Sequence, residues 1–320
     1  MSKVAVIAVV GRTNAGKSTL VNALVGEKVS IVSPVEQTTR NTVRGIVADP
    51  RGQLVLLDTP GLHKAVGTLG TLLNRMARRS AAGTDITCVV FDASSEPQLE
   101  DVGWMQRIAR ERPERVVFVL NKADRAPFFE TMFRDAWAQA QVEVKDVGEG
   151  VGVGVGVGEV RSEPVTAPKW VKCIATTGGG AKAVLDALFE LAEEGEQLFD
   201  EDVVTDYPRK LAIADVIREK YLRYLHQELP HELGILVRDL REDANRWDVR
   251  VEALVNRQSQ KPMAIGKGAV IVKSVRKMAE RELSDLFGVK VALELTVRVE
   301  PNWMANKRLL TEMGYLGGLV

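Results

Sequence analysis

Gly11-Arg12-Thr13-Asn14-Ala15-Gly16-Lys17-Ser18-Thr19 lies between an apolar run at residues 4–10 and a helix-length stretch at 17–25. It is a full match to G-x-x-x-x-G-K-[ST], and a strand before it with a helix after it is the setting that gives the pattern meaning. Glycines at 11 and 16 let the backbone curl until successive N–H groups converge on one point, which a Cβ at Gly16 would crowd. The helix N-terminus aims its partial positive charge at the same place. Such a turn cradles phosphates. Lys17 reaches the β- and γ-phosphates, the Ser18 hydroxyl coordinates Mg²⁺, and Thr19 completes the turn.

Outward from this turn, strand-like and helix-like segments alternate over the first two hundred residues. Apolar runs at 54–57, 86–91, 116–120 and 170–174 join the one at 4–10, with helix-length stretches at 69–82, 99–110, 128–142 and 182–194. Continuous apolar strands, each followed by a helix, predict an α/β domain with a mostly parallel sheet and helices on both faces. Residues 148–158 read GEGVGVGVGVG and break the rhythm. Their glycines give the strand no second face to bury and cost backbone entropy, so 145–168 is expected to be a flexible insertion, a hairpin or partner-recognition loop being the alternative. After Tyr207 the pattern changes to a helix (209–225), strands (234–239, 248–255 and 262–265), a helix (269–287) and a last strand (290–299). This predicts a smaller α+β module over 201–320 beside the first domain over 1–200, joined through the acidic segment 193–206.

Asp58-Thr59-Pro60-Gly61 ends the run at 54–57, so the Asp58 carboxylate faces the same crevice as the phosphate turn. It can hold Mg²⁺ through water while the Gly61 N–H contacts the γ-phosphate. Between the two motifs, Gln37-Thr38-Thr39-Arg40 is a polar stretch suited to a switch loop. Thr39 is the favoured γ-phosphate-sensing metal ligand, and Thr38 the alternative. Asn121-Lys122-Ala123-Asp124 follows the run at 116–120. The Asp124 carboxylate can accept from guanine N1–H and the 2-amino group, and adenine would leave it unpaired. Asn121 can bridge loops or contact N7, and the Lys122 stem can cover the base plane. GTP and GDP are therefore the expected ligands.

The elements GRTNAGKST, QTTR, DTPG, NKAD and Ile174-Ala-Thr-Thr-Gly-Gly-Gly180 stand in the order seen in translation-factor-related GTPases. The arrangement most resembles the Era-type ribosome-assembly GTPases, a P-loop GTPase domain followed by a type II KH domain. In the second module the resemblance rests on Ser259-Gln-Lys261, Ile265-Gly-Lys-Gly-Ala269, Lys273, Asn302-Trp303 and Gly314-Tyr315. It implies that the Ala175 N–H meets the guanine carbonyl beside Thr176, although Ile174 stands where the family usually has serine. It also implies slow GTP turnover, because Leu62 replaces the glutamine that orients water in many small GTPases. Asn14 is expected to help hold a potassium ion, with a loop-bracing amide as the plain alternative. Lys17, Thr39, Gly61 and Asn14 thus form the expected catalytic set. KH domains press a G-x-x-G turn against the backbone of single-stranded nucleic acid. Gly266, Lys267, Gly268 and Lys273 are the matching residues, and Ala269 is expected to sit comfortably at the start of a helix while weakening RNA contact. The implied partner is the 3′ end of small-subunit rRNA, and the implied role is maturation of the small ribosomal subunit. A contrasting reading is an RNA-binding module with structural nucleotide and negligible turnover.

Composition agrees with a two-domain globular chain: 320 residues, 45% apolar and 27% charged. No apolar run reaches the roughly 18 to 20 residues of a spanning helix, and no secretory leader opens the sequence. A cytoplasmic location is expected, or an organelle matrix after removal of a transit segment; peripheral contact with anionic membrane is a further property proposed for the family. Net charge is zero, but residues 1–207 carry 23 Lys and Arg against 28 Asp and Glu, and residues 208–320 carry 20 against 15. The basic half is where a polyanion would bind. Cys88 and Cys173 have no metal-ligand spacing and read as plain buried thiols.

Overall fold

The structure, a computed structural model, describes residues 2–33, 35, 38–61, 67–80, 83–149 and 167–316. The chain divides into two compact units. One comprises Met1–Ser30, Thr42–Lys64 and Asn74–Thr205, the other Ile31–Asn41, Ala65–Leu73 and Asp206–Val320.

The elements up to residue 194 are β1 (Lys3–Val10), α1 (Lys17–Val25), β2 (Val43–Asp49), β3 (Gly52–Asp58), α2 (Gly67–Ser80), β4 (Ile86–Asp92), α3 (Leu99–Glu111), β5 (Val116–Asn121), α4 (Glu130–Glu149), β6 (Lys169–Lys172), α5 (Ala181–Leu191) and the two-residue β7 (Glu193–Glu194). The sheet runs β2-β3-β1-β4-β5-β6, with β7 pairing to β1. All pairs from β3 to β6 are parallel, while β2 and β7 are antiparallel. Strand alternation in β1 divides its side chains between two cores. Ala5, Ile7 and Val9 meet Leu20 and Leu24 of α1 and Val184 and Leu188 of α5. Ala8 and Val10 meet Trp104 and Met105 of α3 and Phe133 and Trp137 of α4. Every residue of β3, β4 and β5 is buried, which explains their unbroken apolar runs. The edge strand β2, with Arg44 half-exposed, has no such run and was not expected from the sequence. Helix α4 continues to Glu149, into the first residues of the expected insertion, and residues 150–166 lie outside those described. Cys88 and Cys173 are buried and unbridged, and burial pushes the Cys88 thiol up to about 12.

The second unit carries α6 (Arg209–Leu222), α7 (Leu229–Glu232), β8 (Gly234–Glu242), β9 (Arg246–Val255), α8 (Gln260–Ile265), a 3-10 turn (Lys267–Ala269), α9 (Val270–Phe287), β10 (Lys290–Val299), a second 3-10 turn (Trp303–Ala305) and α10 (Lys307–Glu312). Its sheet runs β10-β9-β8, antiparallel between β8 and β9 and parallel between β9 and β10. Ile213, Ile217 and Tyr221 at four-residue spacing on α6, and Val275, Ala279 and Leu283 on α9, make the apolar stripes that cover the sheet. The α+β module is therefore present, but the strand expected at 262–265 is helix α8. Four apolar-leaning residues do not distinguish the two periods. Pro262 sits in the first turn of α8, where its missing N–H leaves no intrahelical bond unmade. No helix among the described residues is long and apolar enough to cross a membrane.

Candidate functional site

In the first unit, the C-terminal ends of β1, β3 and β5 deliver the motif loops to one edge of the sheet. Gly11 leaves β1 at φ 146°, where a Cβ would stand 2.3 Å from the Val90 carbonyl oxygen. Asn14 is left-handed at φ 59°, a conformation that asparagine tolerates better than most residues. Gly16 caps α1 at φ 100°, and Lys17 begins the helix. Lys17 is buried, and its Nζ donates to the Arg12 carbonyl at 2.8 Å. Burial pushes its ammonium down to about 8, against the opposite pull of Asp58. The amine is therefore held in a dry turn against a backbone carbonyl.

Asp58 closes β3 and is fully buried, and burial raises its carboxyl above the ordinary range while Ser18 and Lys17 nearby pull it down. Neither carboxylate oxygen has a partner in good hydrogen-bond geometry. A buried carboxylate that faces the Ser18 hydroxyl and the Lys17 charge fits a hydrated divalent cation. Gly61 packs so closely that a Cβ would lie 2.7 Å from the Thr13 nitrogen and 2.8 Å from Lys17 Nζ. Gly61 thus lies against the phosphate turn. Leu62 lies outside the described residues.

Asn121 ends β5 and ties the loops together. Its Nδ2 donates to the Ala15 carbonyl at 2.8 Å, and its Oδ1 accepts from the Ala175 N–H at 3.0 Å. That N–H was the expected donor to the guanine carbonyl; here it is directed at Asn121. The turn from Ile174 is closed by Ile174 N–H to the Gly179 carbonyl at 2.7 Å, so the loop is braced without the serine common in the family. Lys122, left-handed at φ 63°, donates through Nζ to the Asn14 carbonyl at 3.0 Å and to Asp92 Oδ2 at 2.6 Å. Asp124 is exposed at the rim and Thr176 is exposed beside the braced turn.

Thr38 and Thr39 belong to the second unit. There the Thr38 carbonyl accepts from Arg218, and Arg40 is buried with its guanidinium donating to the Leu233 and His231 carbonyls at 2.7 Å each, 5.9 Å from the Trp303 ring centre. Burial, and then the neighbouring Arg40, bring Arg218 down to about 9. The sequence gives no sign that Arg40 is a core residue, because its partners are backbone carbonyls.

The 3-10 turn of the second unit corrects the reading of Ala269. Gly266 has φ 77°, ψ 158°, a region open essentially to glycine alone. Gly268 and Ala269 follow at φ 62° each, both left-handed. Ala269 is the N-cap of α9 rather than a helical residue, so its methyl is strained there. Lys267 is exposed, and exposed Lys273 reaches toward the Gly268 carbonyl at 3.5 Å.

Against known proteins, residues 6–122 match the family model described as a 50S ribosome-binding GTPase, and residues 228–304 match a KH domain model. The chain is 32% identical over 313 residues to GTPase Era of Leuconostoc citreum, covering 97% of this chain and 95% of that one. It is 32% identical over 311 residues to GTPase Era of Geobacter sp. strain M21, covering 97% and 96%. Among solved structures, a variant of Aquifex aeolicus Era bound to GDP and aluminium fluoride aligns at a TM-score of 0.83 with 28% identity, covering 98% of this chain and 99% of that one. Era in complex with MgGDPNP and nucleotides 1506–1542 of 16S ribosomal RNA aligns at 0.84, again with 28% identity and the same coverage. A P-loop GTPase unit with Asp58, Asn121 and Lys17 at one sheet edge, followed by a KH unit, agrees with these matches along the whole chain, and the protein belongs to the Era family of GTPases.

Proposed function

We propose that this GTPase binds the 3′ region of small-subunit rRNA through the turn Gly266-Lys267-Gly268-Ala269 and assists maturation of the small ribosomal subunit, with GTP and GDP setting the state of the RNA-binding surface. The observation that carries the reading is the pairing, in one chain, of a complete phosphate turn braced by Asn121 with a glycine turn beside Lys267 and Lys273. In the nucleotide unit, backbone N–H groups of residues 12–19 surround the phosphates, and Lys17 stabilises charge that develops on the β–γ bridging oxygen as the γ-phosphoryl group leaves. Ser18 and Asp58 would hold Mg²⁺, with Thr39 added when GTP is present; the ion, when bound, neutralises phosphate charge and fixes its geometry. Gly61 offers its N–H to the γ-phosphate, Asp124 reads the guanine edge, and Thr176 flanks the base loop. Leu62 can neither donate nor accept a hydrogen bond, so another group must orient water. The activity belongs in the compartment where the small subunit matures, bacterial cytoplasm or organelle matrix.

Two further expectations follow. Potassium held with the help of Asn14 supplies charge that the absent glutamine cannot. GTP turnover in KCl should exceed that in NaCl about tenfold or more, and Asn14→Ala should erase the difference. Equal rates in the two salts for the native protein would remove potassium from the mechanism. The second expectation concerns pH. Burial brings Lys17 down to about 8 in the free protein, and an adjacent phosphate raises that value by favouring the charged form. Between the two values the free protein is neutral at Lys17 and the complex is charged, so GDP binding takes up a proton and affinity falls as pH rises above about 8. Calorimetry at pH 8.5–9 (roughly one half to one unit above that value) in buffers of differing ionisation enthalpy reads the uptake directly; its absence would show that Lys17 stays charged in the free protein.

The role itself is tested by titrating short oligonucleotides of the rRNA 3′ end with the GDP-bound and the GTP-analogue-bound protein. Tighter binding in one nucleotide state is expected, together with loss of salt-resistant binding in a Gly266 variant. Equal affinity in both states would end the switch reading. Anionic vesicles added as competitor report on peripheral membrane contact by the same basic residues.

A further inference from the structure

Arg12 and Lys122 lie in different loops 110 residues apart, yet both reach one carboxylate oxygen. Asp92 Oδ2 accepts from Lys122 Nζ at 2.6 Å and stands 3.2 Å from an Arg12 terminal nitrogen. Sheet register explains why it can: Asp92 ends β4 directly opposite Asn121, one residue before Lys122, and β4 also pairs with β1, which leads into Arg12. The other oxygen, Oδ1, is held by the Ser94 N–H at 3.2 Å and its hydroxyl at 2.6 Å, so the carboxylate cannot rotate freely. Burial pushes the Asp92 carboxyl up, but the Lys122 and Ser94 hydrogen bonds and the Arg12 charge outweigh it and leave the group below the ordinary range. Arg12 is fixed from its other side as well, through Nε to Asp101 Oδ2 at 3.0 Å and a terminal nitrogen to Ser95 Oγ at 3.0 Å. Lys122 Nζ completes the link by reaching the Asn14 carbonyl at 3.0 Å.

The geometry points to Asp92 as a positioning residue for the nucleotide: one carboxylate oxygen couples the phosphate turn, through Arg12, to the guanine loop, through Lys122. Neither Asp92 nor Asp101 belongs to any motif read from the sequence. Asp92 acts through two cations that frame it. The consequence is that the phosphate turn and the base-reading loop hold or release GDP together rather than independently. The ion pairs are part-buried, with Asp92 the most enclosed of the three, and breaking one partner of such a charge pair acts mainly on dissociation rates.

The inference rests on the guanine-nucleotide site described above, and the experiment separates the two. Release of a fluorescent GDP analogue is measured by stopped flow from the native full-length protein, Asp92→Asn, Lys122→Met and the double variant. Asparagine keeps the shape and the Ser94 contacts; methionine keeps the stem over the base and removes only the amino group. Each single change should speed release about tenfold, and the double variant should release no faster than the faster single one. A second cycle pairs Arg12→Met with Lys122→Met. These two cations do not bond to each other, so a shortfall from multiplied effects there runs through the shared carboxylate or through the Asn14 carbonyl, and the carboxylate's share is the part that vanishes when Asp92→Asn is added. Multiplying effects in the native background, or a release rate unchanged in Asp92→Asn, would overturn the coupling and leave Asp92 a turn-capping residue. If Asp92→Asn does not fold, Asp92→Ser takes its place in both cycles. Native protein that holds ADP as well as GDP would instead overturn the guanine reading.

Discussion

Gly16→Ala is expected to remove guanine-nucleotide binding at micromolar protein while leaving the parallel sheet folded. The alanine Cβ would stand 2.2 Å from Asn121 Nδ2, and the backbone at φ 100° is already one that side chains rarely adopt. The strain costs roughly 1–2 kcal/mol. The steric effect is larger, because Asn121 must move, and with it go both bonds that join the loops: Nδ2 to the Ala15 carbonyl and Oδ1 from the Ala175 N–H. Each buried partner left unpaired costs roughly 1–3 kcal/mol. Together the losses amount to about 3–8 kcal/mol, a fall of roughly 10² to 10⁶ in affinity. The change also reaches both halves of the ligand, since Asn121 holds the phosphate turn on one side and the base-facing turn on the other. Titration with a fluorescent GDP analogue, beside far-ultraviolet circular dichroism for folding, checks it. Binding within threefold of the native protein would mean that Asn121 is not the brace described here.

The nucleotide chemistry was legible in the sequence because phosphate and guanine recognition demand particular residues close together in the chain. Gly11 through Thr19 form one turn, and Asn121 through Asp124 another; each is complete within a few residues, and each lies where an apolar strand ends. The fully buried β3, β4 and β5 were legible for the same local reason. The Arg12–Asp92–Lys122 link was not. Its members meet only because the sheet order places β4 between β1 and β5, and no local pattern states that order. Arg40 was read as the end of a polar switch stretch, yet it is buried against carbonyls of Leu233 and His231, residues almost two hundred positions away. Short elements failed for a different reason. The run at 262–265 spans about one helical turn, too little for periodicity to separate helix from strand, and the helix begins two residues before it, at Gln260. The left-handed Ala269 was hidden because alanine is the best of helix formers, and its position follows from the two glycines before it rather than from its own preference.

That turn gives the second large effect, and it runs in opposite directions at its two ends. Gly266→Ala should unfold the turn and abolish selective RNA binding. At φ 77°, ψ 158° the backbone lies where only glycine is at ease, which costs roughly 1–3 kcal/mol for any other residue. A Cβ would also stand 2.7 Å from Ile271 Cγ1 and 2.9 Å from the Ile271 nitrogen, so the first turn of α9 must shift and carry Lys273 with it. Ala269→Gly should do the reverse. Alanine at φ 62° bears roughly 1–2 kcal/mol of left-handed strain. Glycine relieves it but loses roughly 0.5–1 kcal/mol to the freer unfolded chain, leaving a net gain of up to about 1.5 kcal/mol. If RNA backbone approaches this turn, removing the methyl also opens the space that a second glycine would provide, and oligonucleotide affinity should rise severalfold. Urea unfolding and oligonucleotide titration on the two variants separate the contributions. A stabilised Ala269→Gly protein with unchanged RNA affinity would mean that the strain is real but the RNA lies elsewhere. A destabilised one would mean that the left-handed conformation at residue 269 does not carry the strain assigned to it.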